Sequence, residues 1–429
     1  MEQSTIALII MVITIIVFAT EKIPMAVASI LSAFAMAATG CISYNDAFAG
    51  FSNTAVLMVI GLCIVGEAFF TTGLSDRIGQ AFLRIDHLSE RKFILYASVA
   101  SAALSAFLNG LVVITMFLPI IDCLAAKTNG AIKKKHVYLP VAIGAVFGGN
   151  LSNVGSSSMI SASGMMADSY AGRTLDFLEP APLGLAGTLV FVVLLALLGT
   201  KLQDRFFDFE EENVQIPKLV DPQKEELKEF SGEPAWKRRF VLVVLAGTML
   251  AFMMGASYGA LSLLAACLLI AFGCIDFNHA ISGVSWSTVL VVVGTLGFAK
   301  GVQESGAAEV ISNTVLGIAG PFSGNAYVMA VIFLLLATVI SNFMSNNATV
   351  GILTPVALSI AYQLNASPAA FVLACAIGTN LSVMTPICTS TITVTASCGY
   401  RFKDYVRFGG IFNVLAFLAT ALMMKIIYF

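Results

Sequence analysis

Residues 45–73 read NDAFAGFSNTAVLMVIGLCIVGEAFFTTG, and residues 278–306 read NHAISGVSWSTVLVVVGTLGFAKGVQESG. The two stretches are similar at one constant offset of 233 residues, which aligns Asn45 with Asn278, Gly50 with Gly283, Gly61 with Gly294 and Gly73 with Gly306. Further along, Gly148-Gly149-Asn150-Leu151-Ser152 recurs as Gly378-Thr379-Asn380-Leu381-Ser382, and Leu118-Pro119 recurs as Thr354-Pro355. A hydrophobic chain duplicated in this way, with interrupted segments at matching positions, is typical of secondary transporters.

The composition indicates an integral membrane protein. Hydrophobic residues make up 58% of the chain and charged residues 11%, with a mean hydropathy of +0.91, whereas soluble domains carry about 25% charged residues. The net charge of −2 says little about partners, because the charges are segregated along the chain. The eight cysteines form no Cys-x-x-Cys pair, which indicates neither a metal site nor a disulfide framework.

The apolar segments can be counted as membrane crossings, since a crossing helix needs about 20 apolar residues. Ten segments suit one crossing each: 4–20, 24–40, 52–73, 138–168, 182–200, 240–255, 257–275, 286–303, 368–398 and 408–428. Two further segments, 93–121 and 325–360, are too long for one crossing and are interrupted by polar residues. Each is either one long tilted helix or a re-entrant hairpin.

Charge placement favours the hairpins. If 93–121 enters and leaves by the same face, the basic residues before and after it share one side of the membrane. Applied throughout, this arrangement puts 20 of the 23 lysines and arginines on one side and leaves Arg173, Lys300 and Lys425 on or towards the other. Such an excess is expected in the cytoplasm. The sequence therefore predicts an all-α protein of the cell membrane with about ten transmembrane helices, two re-entrant hairpins and its N-terminus outside.

The two halves are predicted to be inverted repeats. Five crossings and one hairpin make an odd number, so the second copy lies upside down relative to the first. The first repeat spans 1–200, with scaffold helices in 4–73, the hairpin 93–121 and the broken helix 138–168. A cytoplasmic linker, 201–239, leads to the second repeat, 240–429, with the hairpin 325–360 and the broken helix 368–398. The stretches 74–92 and 307–322 are interpreted as interfacial helices.

Four helix breaks mark the expected site. Two are the hairpin tips Asn109-Gly110-Leu111 and Ser345-Asn346-Asn347, and two interrupt the fourth crossings, at 148–158 and 378–391. Backbone that leaves the helix at membrane depth must be buried in protein or line a wet cavity. Helix N-termini there attract an anion, and freed carbonyls and hydroxyls bind a hard cation such as Na+. Since the breaks contain no lysine or arginine, an anion is expected to depend on amide dipoles and co-bound cations.

Three motifs carry a resemblance to a known family. The second hairpin contains Ser341-Asn342 and Ser345-Asn346-Asn347, and the second broken crossing contains Thr385-Pro386. In the first hairpin, Ser105 leads into Asn109-Gly110-Leu111. At these residues, and from the Asp46–Phe51 stretch to the last span, the chain resembles the divalent-anion/sodium symporter family. These proteins, also called SLC13 or citrate-transporter-like permeases, carry Ser-Asn-Thr at the hairpin tips and Thr-Pro in the broken crossing.

The resemblance implies a homodimer whose scaffold domains hold transport domains that move like elevators. It implies a small anionic substrate, a di- or tricarboxylate such as succinate or citrate, or sulfate, with Na+ as the coupled ion. The anion would contact Asn109, Ser156, Ser345, Asn346, Asn347, Thr385 and Pro386. One Na+ site would use Ser105, Asn109, Gly110 and Gly155, and the other Ser341, Asn346 and Met384. The repeated motif is expected to support these loops through Asn150, Ser152, Asn380 and Ser382.

Other transport modes fit the same predicted architecture. Anion exchange suits the same architecture as symport, and so does an antiporter or inorganic-anion permease, although a proton antiporter would need paired carboxylates at the midplane. Glu67 and Lys300 occupy equivalent positions and are expected to reach towards the membrane interface, whereas His87, His136 and His279 are expected in solvated loops. An ion channel is the alternative from another class. An intramembrane hydrolase is not expected because the spans supply no histidine, and no nucleic-acid partner is expected.

Overall fold

The computed structural model of the chain describes residues 2–20, 22–74, 77, 89–128, 132–169, 172–209 and 234–429. All regular elements in these ranges are helical, which confirms the predicted all-α class. His87, most of the interfacial stretch 74–92 and residues 210–233 of the predicted linker lie outside the described residues.

The first half of the chain, in its described part, forms nine α-helices. They are α1 (Gln3–Thr20), α2 (Met25–Ala38), α3 (Tyr44–Phe48), α4 (Thr54–Thr71), α5 (Glu90–Ser105), α6 (Gly110–Lys127), α7 (Lys134–Gly148), α8 (Ser157–Asp168) and α9 (Ala181–Phe206).

The second half follows a similar order of long and short helices. They are α10 (Ala235–Met253), α11 (Tyr258–Ala271), α12 (Phe277–Ser282), α13 (Trp286–Glu304), α14 (Ala307–Ala319), α15 (Ala326–Ser341), α16 (Asn346–Gln363), α17 (Pro368–Leu381), α18 (Ser390–Thr393), α19 (Phe402–Asp404) and α20 (Gly410–Tyr428).

Some of these helices are long and apolar enough to cross a membrane. Within the described ranges there are four, Gln3–Thr20, Tyr44–Thr71, Ala181–Phe206 and Phe402–Tyr428, or five if the pair Ala307–Phe322 and Ala326–Ser341, bent by 118°, counts as one span. Shorter apolar helices include α2, α11 and α17. The ten predicted crossings therefore stay a prediction.

Two glycines from the repeated stretch allow helices from opposite halves to touch. A Cβ on Gly61 of α4 would lie 2.4 Å from the Ser262 carbonyl carbon on α11. A Cβ on Gly294 of α13 would likewise lie 2.4 Å from the Ser29 carbonyl carbon on α2. Each helix of the repeated stretch thus packs, backbone against backbone, on a helix of the other half, and a side chain at either glycine would force the two helices apart.

Helices α5 and α6 form a hairpin beside α7. The Glu90 carboxylate, in the first turn of α5, accepts a 2.9 Å hydrogen bond from the backbone N–H of Lys133, just before α7. Asp122, near the end of α6, lies 2.6 Å from Lys134. The start of α5 and the end of α6 therefore lie beside the start of α7. The tip of the hairpin lies beside the other end of α7, where Ser152 donates to the Ala106 carbonyl.

Helices α15 and α16 fold back in the same way beside α17. Phe333 on α15 contacts Phe371 near the start of α17, with ring centroids 6.1 Å apart, and Ser341 at the end of α15 lies 3.4 Å from the Thr379 carbonyl near the end of α17. The core surrounds the two broken helices, since residues 136–148 of α7 and 369–381 of α17 are all buried.

The prediction that His136 lies in a solvated loop is wrong. His136 is in the first turn of α7 and is 1% exposed. Its Nδ1 lies 3.1 Å from the Glu90 carboxylate, and its backbone carbonyl accepts a 2.8 Å bond from Gln203 on α9. A polar partner of this kind makes burial of an imidazole possible. His279 is exposed as predicted, with a side chain that is 56% exposed, but it lies in the short helix α12 rather than in a loop.

Candidate functional site

A cavity of about 500 Å³ lies where the helix breaks meet. One wall consists of the first residues of four helices, α6, α8, α16 and α18. The lining also includes residues of α4 between Val59 and Glu67 and residues of the first half of α13, from Ser287 to Val291. Residues far apart in the sequence therefore surround one space.

Polar side chains explain why three of the helices begin at the cavity. Asn109 Oδ1 accepts from the Leu111 N–H at 2.9 Å, Ser156 Oγ from the Met159 N–H at 3.2 Å, and Ser345 Oγ from the Ala348 N–H at 3.3 Å. These are N-cap bonds, which stabilise a helix start by about 1 kcal/mol. The first turn of a helix also carries N–H groups without intrahelical partners and a partial positive charge, so three helices of 12 to 18 residues direct anion-attracting ends at one cavity.

The first predicted Na+ site is compact. A Cβ on Gly155 would lie 2.8 Å from the Ser105 carbonyl oxygen, and one on Gly110 would lie 3.3 Å from Ser105 Oγ. Among the described residues, Ser105 Oγ is fully buried and has no hydrogen-bond partner. A buried hydroxyl without a partner is destabilising, so an oxygen-binding cation would satisfy this atom. The donor set of hydroxyl, amide and carbonyl oxygens suits a hard cation.

The second predicted Na+ site is held together by direct bonds. Ser341 Oγ lies 2.5 Å from the Asn346 side-chain amide. Asn342 accepts from the Met384 N–H at 3.1 Å through its side chain and from Thr385 Oγ1 at 2.6 Å through its carbonyl. The loop after α17 is therefore attached to the second hairpin tip.

Asn380 lies between the two predicted Na+ sites. Its Nδ2 donates to Asn150 Oδ1 at 2.7 Å and to Ser156 Oγ at 2.9 Å. Its Oδ1 accepts from Ser158 Oγ at 3.2 Å and lies 2.9 Å from the Asn346 amide. One buried side chain thus contacts both broken helices and the second hairpin tip.

The charge of the cavity wall is low. Of the described residues that line it, Glu67 is the one that carries a charged side chain, and lysine and arginine do not occur among them. The Glu67 carboxylate lies 2.9 Å from Nε2 of His279. An anion in the cavity would therefore contact dipoles and hydroxyls rather than a cationic side chain.

Outside the cavity, α4 and α13 also contact α8 and α16. Asn53, which caps α4, donates to the Asp168 carboxylate at 2.9 Å. Ser161 lies 3.3 Å from Thr295 on α13. A Cβ on Gly351 of α16 would lie 2.9 Å from Cγ2 of the same threonine. The close packing at Thr295 therefore lies one turn beyond Val291, the last residue of α13 that lines the cavity.

The structure brings together many, though not all, of the residues predicted from the sequence. The following line the cavity: Asn109, Gly110, Gly155, Ser156, Ser345, Asn346, Asn347 and Asn380. The following do not line it: Ser105, Asn150, Ser152, Ser341, Ser382, Met384, Thr385 and Pro386. Thr385 and Pro386 both make hydrogen bonds away from the cavity. Thr385 Oγ1 donates to the Asn342 carbonyl, and the Pro386 carbonyl accepts from Thr393 Oγ1 at 2.6 Å.

Several lining residues were not among the predicted ligands. They are Glu67, Ser157, Ser158, Ser285, Ser287, Thr288, Thr389, Ser390 and Thr391. The run Thr389-Ser390-Thr391 ends the second predicted break, and the serines near α13 fall in the repeated stretch. Runs of serine and threonine beside the repeated stretches are the sequence signal that identifies the hydroxyl-bearing residues of this set.

Comparison with known proteins supports a membrane transporter. An uncharacterized transporter of Synechocystis is 20% identical and covers 99% of this chain and 97% of its own length. A sodium-dependent dicarboxylate transporter of Staphylococcus saprophyticus is 22% identical over 94% of this chain and 82% of its own length. Solute carrier family 13 member 2 of Homo sapiens is 29% identical over 36% of this chain and 26% of its own length.

The fold is similar to that of the YdaH transporter of Alcanivorax borkumensis, with a TM-score of 0.62 at 13% identity over 88% of this chain and 86% of that one. The model of the citrate transporter family matches residues 15–375 and 263–429, nearly the whole chain. This agrees with the resemblance found in the sequence, and the relatives are transporters rather than enzymes. The chain belongs to the citrate transporter family.

Proposed function

We propose that the protein is a secondary active transporter that carries a small divalent anion together with Na+. The substrate class is a di- or tricarboxylate such as succinate or citrate, or sulfate. The observation that carries the proposal is the convergence of the capped starts of α6, α8 and α16 on one polar cavity whose described wall has no lysine or arginine. Helix N-termini bind anions through N–H groups and the helix dipole.

Sodium follows from the charge of the site. A divalent anion loses much hydration free energy on entering such a cavity, and the nearby carboxylate of Glu67 opposes it. Co-bound cations offset this cost. The proposed ligands are the oxygens of Ser105, Asn109, Gly110 and Gly155 at one tip and those of Ser341, Asn346 and Met384 at the other. The partnerless Ser105 Oγ supports the first set, and the name of the Staphylococcus relative agrees with sodium coupling.

Alternating access is consistent with the contacts of α4 and α13. In the present conformation α4 and α13 line the cavity over part of their length, and beyond that part α13 packs closely on α8 and α16 at Thr295. An inverted repeat allows the same elements to exchange these two arrangements. We propose that α5–α8 and α15–α18 carry the substrate as one unit past α4 and α13, as in an elevator, in a homodimer in the cell membrane whose N-terminus is outside and whose linker 201–239 is cytoplasmic.

Uptake by proteoliposomes tests the proposal. The purified chain is reconstituted, and entry of labelled succinate, citrate and sulfate is measured with and without an inward Na+ gradient. Uptake of at least one anion that needs the gradient is expected. Indifference to all three would overturn the substrate assignment, whereas uptake that ignores Na+ and needs internal anion would replace symport by exchange.

A further inference from the structure

We propose that Asn380 is a positioning residue that couples the two Na+ sites, so that occupation of one site raises the affinity of the other. This inference rests on the proposed function, because it requires that both hairpin tips bind the coupled ion. Asn380 itself is not assigned as an ion ligand. Its role is to connect the loops that carry the ligands.

The bonds of Asn380 leave its amide little freedom. Both amide hydrogens are directed at partners in the first half of the chain, Asn150 and Ser156. The amide oxygen accepts from Ser158 Oγ at 3.2 Å and lies 2.9 Å from the side-chain amide of Asn346 at the second hairpin tip. An asparagine amide offers two donors and one acceptor oxygen with two lone pairs, so its bonding capacity is used.

Burial makes these bonds strong constraints. Asn380 is 3% exposed and Asn150 is 1% exposed. In a site from which water is largely excluded, a broken hydrogen bond leaves polar atoms without a partner, and this is costly. When one bonding partner of Asn380 moves, the other partners are therefore expected to move with it, because this costs less than breaking a hydrogen bond.

The partners of Asn380 belong to both proposed ion sites. Asn346 is a proposed ligand of the second site, and Ser156 directly follows Gly155, a proposed ligand of the first. When Asn346 turns to bind Na+, its contact with Asn380 changes, and the shift reaches Gly155 through Ser156. Two sites that bias one shared element are thermodynamically coupled, and the coupling is reciprocal.

The contact between Asn380 and Asn150 lies where the two halves of the chain meet. Asn150 and Asn380 are the same residue of the repeated Asn-Leu-Ser motif, and they bond directly to each other at 2.7 Å. In the proposed inverted repeat, two equivalent residues that contact each other lie near the axis that relates the two halves. A contact at this position links the two halves, whereas a contact within one half does not.

The test is the Na+ dependence of initial uptake by proteoliposomes, with the labelled anion that the wild-type protein transports. We expect a Hill coefficient above 1 for the wild type and a fall to about 1 for Asn380→Ala. The matched control is Asn413→Ala, which also removes a buried amide, one that donates to the Leu381 carbonyl at 2.5 Å away from the cavity wall. This control is expected to keep the wild-type Hill coefficient.

A second variant keeps the test sharp if Asn380→Ala does not fold. Asn150→Ala removes the same bond from a residue that does not line the cavity, and it should lower the Hill coefficient as well. In the double variant the loss should be no greater than in the single variants, because the pair acts as a unit.

The outcomes separate the inference from the function. A wild-type protein without Na+-dependent uptake overturns the proposed function. Na+-dependent uptake with a Hill coefficient of 1 in the wild type, or a coefficient unchanged by both Asn380→Ala and Asn150→Ala, overturns the coupling and leaves the function intact. An equal loss of the Hill coefficient in Asn413→Ala would also overturn the inference, because it would show that any buried amide beside α17 has the same effect.

Discussion

The Lys300 ammonium lies 2.5 Å from the Asp46 carboxylate, and the two residues come from opposite halves of the chain. With the repeat offset of 233 residues, Asp46 corresponds to His279 and Glu67 corresponds to Lys300. His279 and Glu67 form the corresponding contact at 2.9 Å. The two equivalent positions are therefore paired in both copies. The acidic residue is Asp46 on the short helix α3 in one pair and Glu67 on the long helix α4 in the other.

Reversal of one charge at the first pair should destabilise the protein. Lys300→Glu would place a carboxylate between Asp46 and Glu304, which now lie 2.5 and 3.8 Å from the ammonium. Since the two main partners are 29% and 38% exposed, the loss is expected to be about 1 kcal/mol. Thermal unfolding in detergent measures it. The double reversal Asp46→Lys with Lys300→Glu should recover most of the stability, and no recovery would contradict the assignment of the pair.

The second pair should control anion affinity, because Glu67 lines the cavity. Glu67→Gln removes a negative charge that repels the substrate, so the KM for the anion should fall several-fold. His279→Gln leaves the carboxylate without its partner and should raise the KM. The check is initial uptake at fixed Na+ and varied anion. Changes in the same direction for both variants would contradict an electrostatic role.

The hydroxyl of Ser105 should matter for sodium and not for stability. In the described structure its Oγ has no partner, so Ser105→Ala is expected to leave the unfolding temperature unchanged or raise it, while the Na+ concentration for half-maximal uptake rises several-fold. Ser101→Ala is the matched control one turn earlier, because Ser101 Oγ donates to the Val141 carbonyl at 2.9 Å. The control should lose about 1 kcal/mol of stability and keep its Na+ dependence.

A larger residue at Gly351 should disturb the close packing at Thr295. The Cβ of Gly351→Ala would lie 2.9 Å from Thr295 Cγ2, which destabilises the present conformation and shifts the population towards the opposite one. Cys63 lines the cavity, so its reaction with a maleimide reports the shift. The experiment uses a background with Cys123→Ser and Cys267→Ser, since both of these cysteines are exposed.

Labelling of Cys63 should become several-fold slower in Gly351→Ala, since the wall that holds it closes in the opposite conformation. Adding Thr295→Ala removes the methyl group that clashes, and labelling should return towards the wild-type rate. Equal rates in all three proteins would mean that the contact does not set the balance between the conformations.

Lowering the pH should destabilise the first hairpin, because the Glu90 carboxylate becomes protonated. Burial on its own raises the pKa of the Glu90 carboxyl, but hydrogen bonds from His136 and from the Lys133 N–H outweigh it and hold the pKa below its usual range. A carboxyl whose pKa is lowered by folding stabilises the folded state above its unfolded pKa, and this stabilisation is lost as pH falls through the folded pKa. The unfolding temperature of the wild type should therefore fall more steeply below about pH 4.5 than that of Glu90→Gln. Parallel curves would contradict this role.

The helix ends were largely predictable, because they depend on local chemistry. The sequence predicts tips at Asn109 and Ser345, and in the structure these two side chains cap the starts of α6 and α16. Capping requires only a short polar side chain two or three residues before the N–H it accepts from. The resemblance of the chain to the family was visible in the same residues and is confirmed by the match over nearly its whole length.

The cavity wall was less predictable. Thr385 and Pro386 lie in the expected loop, but Thr385 turns to the Asn342 carbonyl and neither residue lines the space. Glu67 lines it because Gly283, from the other half, leaves room for its side chain, with a Cβ there only 2.8 Å from Glu67 Cγ. Glu67 and Gly283 are more than 200 positions apart, and Thr385 and Asn342 are 43 positions apart, so no local pattern encodes either contact.

The sequence by itself determined the all-helical class, the positions of the breaks and the family, since hydropathy, glycine, proline and capping residues act within one or two turns of helix. Only the tertiary structure decided which polar atoms face the cavity, which are satisfied elsewhere, and how Asn150 meets Asn380. The physical reason is that a buried polar group takes its partner from whatever the packing brings within about 3 Å, and that choice is made by the whole fold.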